Sequence, residues 1–143
     1  MRVERAQPED VPAVEALLVA AGLPLEGAAG AFEHGVVVRD GAEVLAAAAV
    51  ERYGEAGLLR SVVVAPDRRG AGLGRDVVTA AEALSLDEGL RELYLLTETA
   101  SDWFPRLGYE VVDRELARAA VGASIEFTMA CATTGVPMRR SLT

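Results

Sequence analysis

Apolar positions set out the elements of this chain before any single residue is considered. Val11, Val14, Leu17, Leu18 and Ala21 recur at helical spacing and predict a helix that Gly22 stops. A short strand over 3–6 and a turn at Gln7-Pro8-Glu9-Asp10 lead into it, and Pro12 is tolerated in the first turn because an early amide needs no helical partner. Residues 23–33 are alanine- and glycine-rich and predict a brief second helix. Residues 35–39 and 44–50 read as strands joined at Asp40-Gly41, a strong hairpin signal. The alanine run 46–49 favours helix by propensity, but its hairpin distance from that turn makes it strand.

Residues 52–57 form the next turn, and residues 58–64 are a dense β-type run. Leu73, Val77, Ala81 and Leu84 mark a helix ending near Asp87-Glu88-Gly89, followed by a short strand over 93–96. Residues 99–107 predict a brief helix stopped by Gly108, and 109–112 a strand. Residues 115–122 are a polar-flanked connection with some helical character, residues 124–131 alternate as a last strand, and residues 133–143 read as loop or tail. There is no repeat and no linker, so the expectation is one α/β domain over 1–143.

The join between run 58–64 and the following helix carries the clearest chemistry. Gly70, Gly72 and Gly74 lie there, flanked by Arg68, Arg69 and Arg75. The first amides of a helix lack intrahelical partners, and residues without Cβ let an anion approach the backbone, so strand, glycine turn and helix together predict a phosphate site. Arginine can meet phosphate oxygens in a bidentate fashion. A nucleotide-triphosphate loop would need Gly-Lys-Ser/Thr, and the chain has no lysine. The glycine spacing also differs from the G-x-G-x-x-G of a dinucleotide fold.

Composition narrows the partners. The net charge of -8 disfavours nucleic acid, whose recognition relies on a positive field, although the local arginines suit a phosphorylated ligand. No continuous apolar run is long enough for a membrane span, and the N-terminus lacks signal-peptide character, so the expected compartment is the cytoplasm. One cysteine, Cys131, and one histidine, His34, exclude an internal disulfide and a cysteine-based zinc cluster, and no metal is expected. Fourteen arginines without lysine are scattered along the chain, which fits codon bias better than selection at one site.

Arg69-Gly70-Ala71-Gly72-Leu73-Gly74, preceded by Val62-Val63-Val64-Ala65-Pro66-Asp67, resembles the Arg/Gln-x-x-Gly-x-Gly/Ala motif of the GNAT acetyltransferases. A second landmark, running from Thr97 to Tyr109, is similar to the family pattern Asn-x-x-Ala-x-x-Phe-Tyr-x-x-x-Gly-Phe at Ala100, Gly108 and the aromatics. The resemblance implies the GNAT fold, a mixed and strongly twisted sheet flanked by helices, and acetyl-coenzyme A as cofactor. It further implies that the pantetheine arm pairs with Val62, Val63 and Val64, and that the pyrophosphate rests on Arg69, Gly70, Ala71, Gly72, Leu73 and Gly74 with Arg75 nearby. The reaction implied is direct attack of an amine on the thioester in a ternary complex, with a strand amide near Val63 polarising the carbonyl. A homodimer is a family expectation.

The family's frequent general acid, the Tyr of that second pattern, is Phe104 here, so water or another group must protonate the thiolate. Tyr53, Tyr94 and Tyr109 are the remaining phenols, and Tyr109, beginning a strand after a glycine, reads as packing. Glu51 and Glu98 are the candidate bases, each weighed against an ordinary exposed carboxylate. Arg60, within an apolar strand, must reach an anion, a carboxylate partner or the sheet margin; a structural pair with Glu51 and a clamp for a substrate carboxylate are the two leading readings. Ser61 and Thr97 can add hydroxyl contacts to substrate. His34 and Cys131 read as packing or surface rather than as base or nucleophile.

A finer similarity, carried by Leu58-Leu59-Arg60-Ser61, the segment from Leu93 to Ala100, and Glu126-Phe127 before Cys131, is to the small acetyltransferases encoded beside arsenic-resistance genes. It implies a small amino acid or analogue as the amine. Two other readings stand beside this one, a catalytically silent acyl-coenzyme A binding or sensory module and a protein N-acetyltransferase.

Overall fold

The computed structural model describes residues 1–127 and 134–143, and the chain divides into two compact units, Met1–Val50 with Arg60–Leu84 and Glu51–Leu59 with Ser85–Thr143. No helix among the described residues is long and apolar enough to cross a membrane.

The first unit orders its strands β1-β2-β3-β4. β1 (Arg2–Arg5) pairs antiparallel with β2 (Gly35–Asp40), and β2 pairs antiparallel with β3 (Glu43–Tyr53), which lies in this unit as far as Val50. The Asp40-Gly41 hairpin forms as expected, with an irregularity in register at Val38/Arg39. Ala46, Ala47, Ala48 and Ala49 are strand and wholly buried. Tertiary burial overrides their helix propensity, as the hairpin spacing required.

α1 (Val11–Ala21) lays Val14 and Leu18 into a core with Phe32, Val37, Ala47 and Val63, and ends at Gly22 in the left-handed region. α2 (Ala28–Ala31) leads through a single 3-10 turn to β2. At Gly35 a Cβ would stand 2.5 Å from the Phe32 ring and 3.2 Å from the Ala48 carbonyl oxygen, so only glycine lets this crossover close. β4 (Ala56–Val64) enters this unit at Arg60, and α3 (Leu73–Asp87) leaves it after Leu84. The Ala65 amide donates to the Leu45 carbonyl at 2.7 Å, fixing the chain as it leaves β4.

In the second unit the order is β4-β5-β7-β6. The start of β4 runs parallel to β5 (Glu92–Thr97), with Ala56, Gly57 and Leu58 opposite Glu92, Leu93 and Tyr94. β7 (Val136–Ser141) is antiparallel to all of β5, and β6 (Glu110–Val111) is antiparallel to β7. α4 (Arg114–Val121) packs Ala117 and Val121 with Ala56, Leu58, Tyr94 and Phe127. Asp113 caps that helix, its carboxylate accepting from the Glu115 amide at 2.9 Å.

Several boundaries differ from expectation. The turn expected over 52–57 shrinks to Gly54-Glu55, because β3 continues to Tyr53 and β4 begins at Ala56. The connection over 115–122 is a capped helix. The brief helix over 99–107 is reduced to a 3-10 segment at Phe104–Leu107, where Pro105 removes an amide, although it does stop at a left-handed Gly108. The strand of 109–112 keeps two residues. Ile125–Phe127 is 3-10 where a strand over 124–131 was expected, and the remainder of that segment, from 128 onward and including Cys131, lies outside the described residues. The loop expected over 133–143 is overturned most plainly, since β7 occupies it. Pro137 argues against a strand in sequence, yet its carbonyl accepts the Val112 amide at 3.0 Å while its missing amide withholds only one ladder bond.

Candidate functional site

In the first unit, β4 passes from Arg60 to Val64, then a 3-10 turn at Pro66–Arg68, then an exposed loop from Arg69 to Gly72 that enters α3. Gly70 and Gly72 hold φ of 86° and 83°, in the left-handed region that side chains resist. A Cβ at either would meet nothing within 4 Å, so glycine is required there by backbone conformation and not by crowding. Gly74, expected in the turn, is the second residue of α3. Arg69, Ala71 and Arg75 are exposed and Leu73 is buried, so the charged loop lies at the surface while the helix is anchored by Leu73. An exposed, positively flanked loop at the start of a 15-residue helix fits a diphosphate.

Upstream, Ser61 holds a φ of 57°, alone among the described non-glycine residues in having a positive value. Arg60 is 3% exposed, and its Nε donates to Ser61 Oγ at 3.1 Å. Arg60 and Ser61 end a run, Ala56 to Ser61, that is buried at every position, as in a strand covered on both faces, and the backbone irregularity falls at the last of these residues. Val63 is buried, with Val62 and Val64 partly covered on either side. Nothing in the sequence flagged the irregularity, since no glycine marks position 61.

The second unit carries the two acidic candidates. Glu51 lies within β3 and not at its end, half-buried, and the Tyr53 hydroxyl donates to Glu51 Oε1 at 2.5 Å. Glu98 is exposed just past β5 and accepts from the Thr134 hydroxyl at 2.9 Å. Thr97 is buried at the end of β5, and its Oγ1 accepts the Ala100 amide at 2.9 Å, so this hydroxyl oxygen shapes the turn. The structure thus brings Arg60 to Ser61, Glu51 to Tyr53, and Glu98 to Thr134.

Phe104 is buried between two rings, edge-to-face with Trp103 at 4.9 Å and with Tyr109 at 5.7 Å between centroids. Tyr109 is 1% exposed, in keeping with the packing expected of it. Tyr94 is also buried; its hydroxyl donates to Glu92 Oε1 at 3.1 Å, and burial holds its phenol above the ordinary value, so it stays protonated. His34 closes the 3-10 turn before β2 and is partly covered. The Tyr53 contact is not visible in the sequence, where the apolar run of this strand stops at Val50 while the strand itself continues to Tyr53. Extended by three residues, the alternation would have placed positions 51 and 53 on one face.

Comparison with known proteins identifies the family and the fold. Residues 31–111 match the acetyltransferase (GNAT) domain model, and the chain belongs to the GNAT family. It has the α/β GNAT acyl-CoA N-acyltransferase fold, with a mixed, twisted sheet flanked by helices. Over 57 residues it is 39% identical to an uncharacterized N-acetyltransferase of Chlorobaculum tepidum, a match that covers 40% of this chain and 36% of that relative, so the chain spans about a third of its length. Among solved structures, a Mycobacterium tuberculosis protein crystallised in complex with CoA superposes with a TM-score of 0.80 at 19% identity, with 100% of each chain covered. The N-acetylglutamate synthase of Neisseria gonorrhoeae, complexed with coenzyme A and N-acetyl-glutamate, gives a TM-score of 0.83 at 15% identity, covering 99% of this chain and 35% of that one.

Proposed function

We propose that the chain is one GNAT domain over 1–143 that transfers the acetyl group of acetyl-CoA to the amine of a small amino acid or analogue, by direct attack in a ternary complex. The observation that carries the substrate class is Arg60, a guanidinium 3% exposed on β4 beside the left-handed Ser61. Its planar guanidinium can meet a substrate carboxylate in a bidentate fashion, and this is the role proposed for it. The amino-acid product held by the Neisseria relative supports this class, as does the sequence similarity to acetyltransferases encoded beside arsenic-resistance genes.

In this reading Arg60, Ser61 and Thr97 bind the acceptor. Arg69, Gly70, Ala71, Gly72, Leu73, Gly74 and Arg75 hold the diphosphate, and Val62, Val63 and Val64 offer their backbone to the pantetheine arm. Acetyl-CoA supplies an activated thioester. Glu51, with Glu98 as the second candidate, takes the proton from the acceptor ammonium or amine, directly or through water. The Val63 amide polarises the acyl carbonyl as the C–N bond forms. Water protonates the departing thiolate, since Phe104 carries no proton to give.

The test is thiol release from acetyl-CoA across amino acids and their phosphinate and arsinate analogues, repeated with Arg60→Ala. Turnover with an amine that bears an acidic group, lost in Arg60→Ala, supports the proposal. Turnover that ignores the acidic group overturns the clamp. A second reading, a silent acyl-CoA-binding module, is favoured by the burial of Phe104 between Trp103 and Tyr109 where the family carries its acid. That reading requires CoA binding with no thiol release from any amine.

A further inference from the structure

Two tyrosine–glutamate pairs on the second unit share the same spacing. Glu51 and Tyr53 are two apart on β3, so both side chains stand on one face, and the phenol donates to Glu51 Oε1 at 2.5 Å. The Tyr53 ring packs against the cluster of Ala56, Leu58, Tyr94 and Phe127, which fixes where its hydroxyl stands. Glu92 and Tyr94 repeat the pattern on β5 at 3.1 Å, with Glu92 3.9 Å from Arg139.

We propose that Tyr53 is the positioning residue for Glu51, holding that carboxylate for removal of the proton from the acceptor amine. The proposal rests on Glu51 being the base. A glutamate has three side-chain torsions to settle, and a base acts only within hydrogen-bonding reach of the proton it takes. A phenol anchored by its ring in the core fixes one carboxylate oxygen and removes most of that freedom. In the step itself Glu51 accepts the amine proton, the amine nitrogen bonds the acyl carbon, the C–S bond breaks, and Tyr53 keeps its own proton throughout.

A double-mutant cycle separates this from a purely structural role, using acetyl-CoA with the most active amino acid from the thiol-release panel. Glu51→Gln is expected to lower kcat about a hundredfold. Tyr53→Phe, which retains the packed ring, is expected to lower kcat about tenfold with the KM for acetyl-CoA unchanged, and to add no further loss in the Glu51→Gln background. Tyr94→Phe, the matched control, keeps kcat within about twofold. An equal tenfold loss from Tyr53→Phe in both backgrounds, or full kcat in Tyr53→Phe, overturns the positioning role while leaving Glu51 as base. Full kcat in Glu51→Gln overturns both.

Discussion

Tyr109 meets the ring of Phe104 edge-on, 5.7 Å between centroids at an interplanar angle of 74°, and both side chains are buried. The contact explains how a chain of this family keeps its second landmark without the phenol that usually accompanies it. The two aromatics flank the left-handed Gly108 that stops the 3-10 segment, and their packing fixes that turn. Tyr109→Phe is therefore expected to leave kcat for acetyl transfer within about twofold of the parent, whereas Tyr109→Ala opens a cavity costing about 3–5 kcal/mol. Denaturant unfolding measures the second, and a drop in kcat of tenfold or more for Tyr109→Phe would show that its hydroxyl takes part in the chemistry.

At Gly72 the expectation is conformational. A residue with a Cβ must hold the left-handed conformation that glycine adopts at 83°, at a cost of roughly 1–2 kcal/mol, or rotate the loop amides away. Gly72→Val is expected to weaken CoA binding by at least about tenfold while the melting temperature falls only a few degrees. Titration of CoA into the folded variant checks it, and unchanged affinity would remove the loop from the cofactor site.

Asp10 and Arg39 make stability depend on acid. Arg39 donates from both terminal nitrogens to the two Asp10 oxygens at 2.7 Å, and its Nε reaches Glu4. Asp10 is 6% exposed; the Arg39 hydrogen bonds, aided by the Gln7 amide and opposed by burial, hold its carboxyl below the ordinary 3.8. Because the folded value lies below the unfolded one, unfolding takes up a proton in acid. The pair's contribution is complete above the unfolded value and is lost as pH falls through the folded one. Asp10→Asn should destabilise by on the order of 2 kcal/mol at neutral pH, and the gap from the parent should close as pH falls below the ordinary carboxyl value of 3.8 and through the lower folded one. Thermal melts across that range test it, and a gap independent of pH contradicts it.

The final strand is an integral part of the second unit. β7 stands between β5 and β6, and Arg140 crosses to the Leu107 carbonyl at 2.7 Å. Truncation after Thr134 exposes the whole edge of β5 and leaves β6 unpaired, and is expected to abolish cooperative unfolding. Arg140→Met, which keeps β7 and removes the carbonyl contact, should cost about 1–2 kcal/mol. Circular dichroism melts distinguish the two, and a truncated chain that still melts cooperatively at the parent temperature would contradict the role of β7.

These outcomes follow the line between what the sequence carried and what it did not. The segment from Val62 to Arg75 was legible because glycine at positive φ and a period-3.6 helix after a β run leave direct marks in residue type. The alanine strand was legible only through the turn beside it. β7 was hidden by Gly135 and Pro137, whose local preferences oppose a strand that two neighbours nonetheless hold in register. The left-handed backbone at Ser61 left no mark at all, since tertiary packing and not residue type imposes it. Glu51 was found as a carboxylate near a strand end, but its phenolic partner required knowing that the strand ran on to Tyr53.

Calorimetric titration of CoA into the folded chain tests the central claim most directly, because every proposed role depends on the loop before α3 holding the diphosphate. Saturable binding at one site per chain, weakened by Gly72→Val and by Arg69→Ala, is the predicted result. No heat of binding from protein that melts cooperatively would contradict the account.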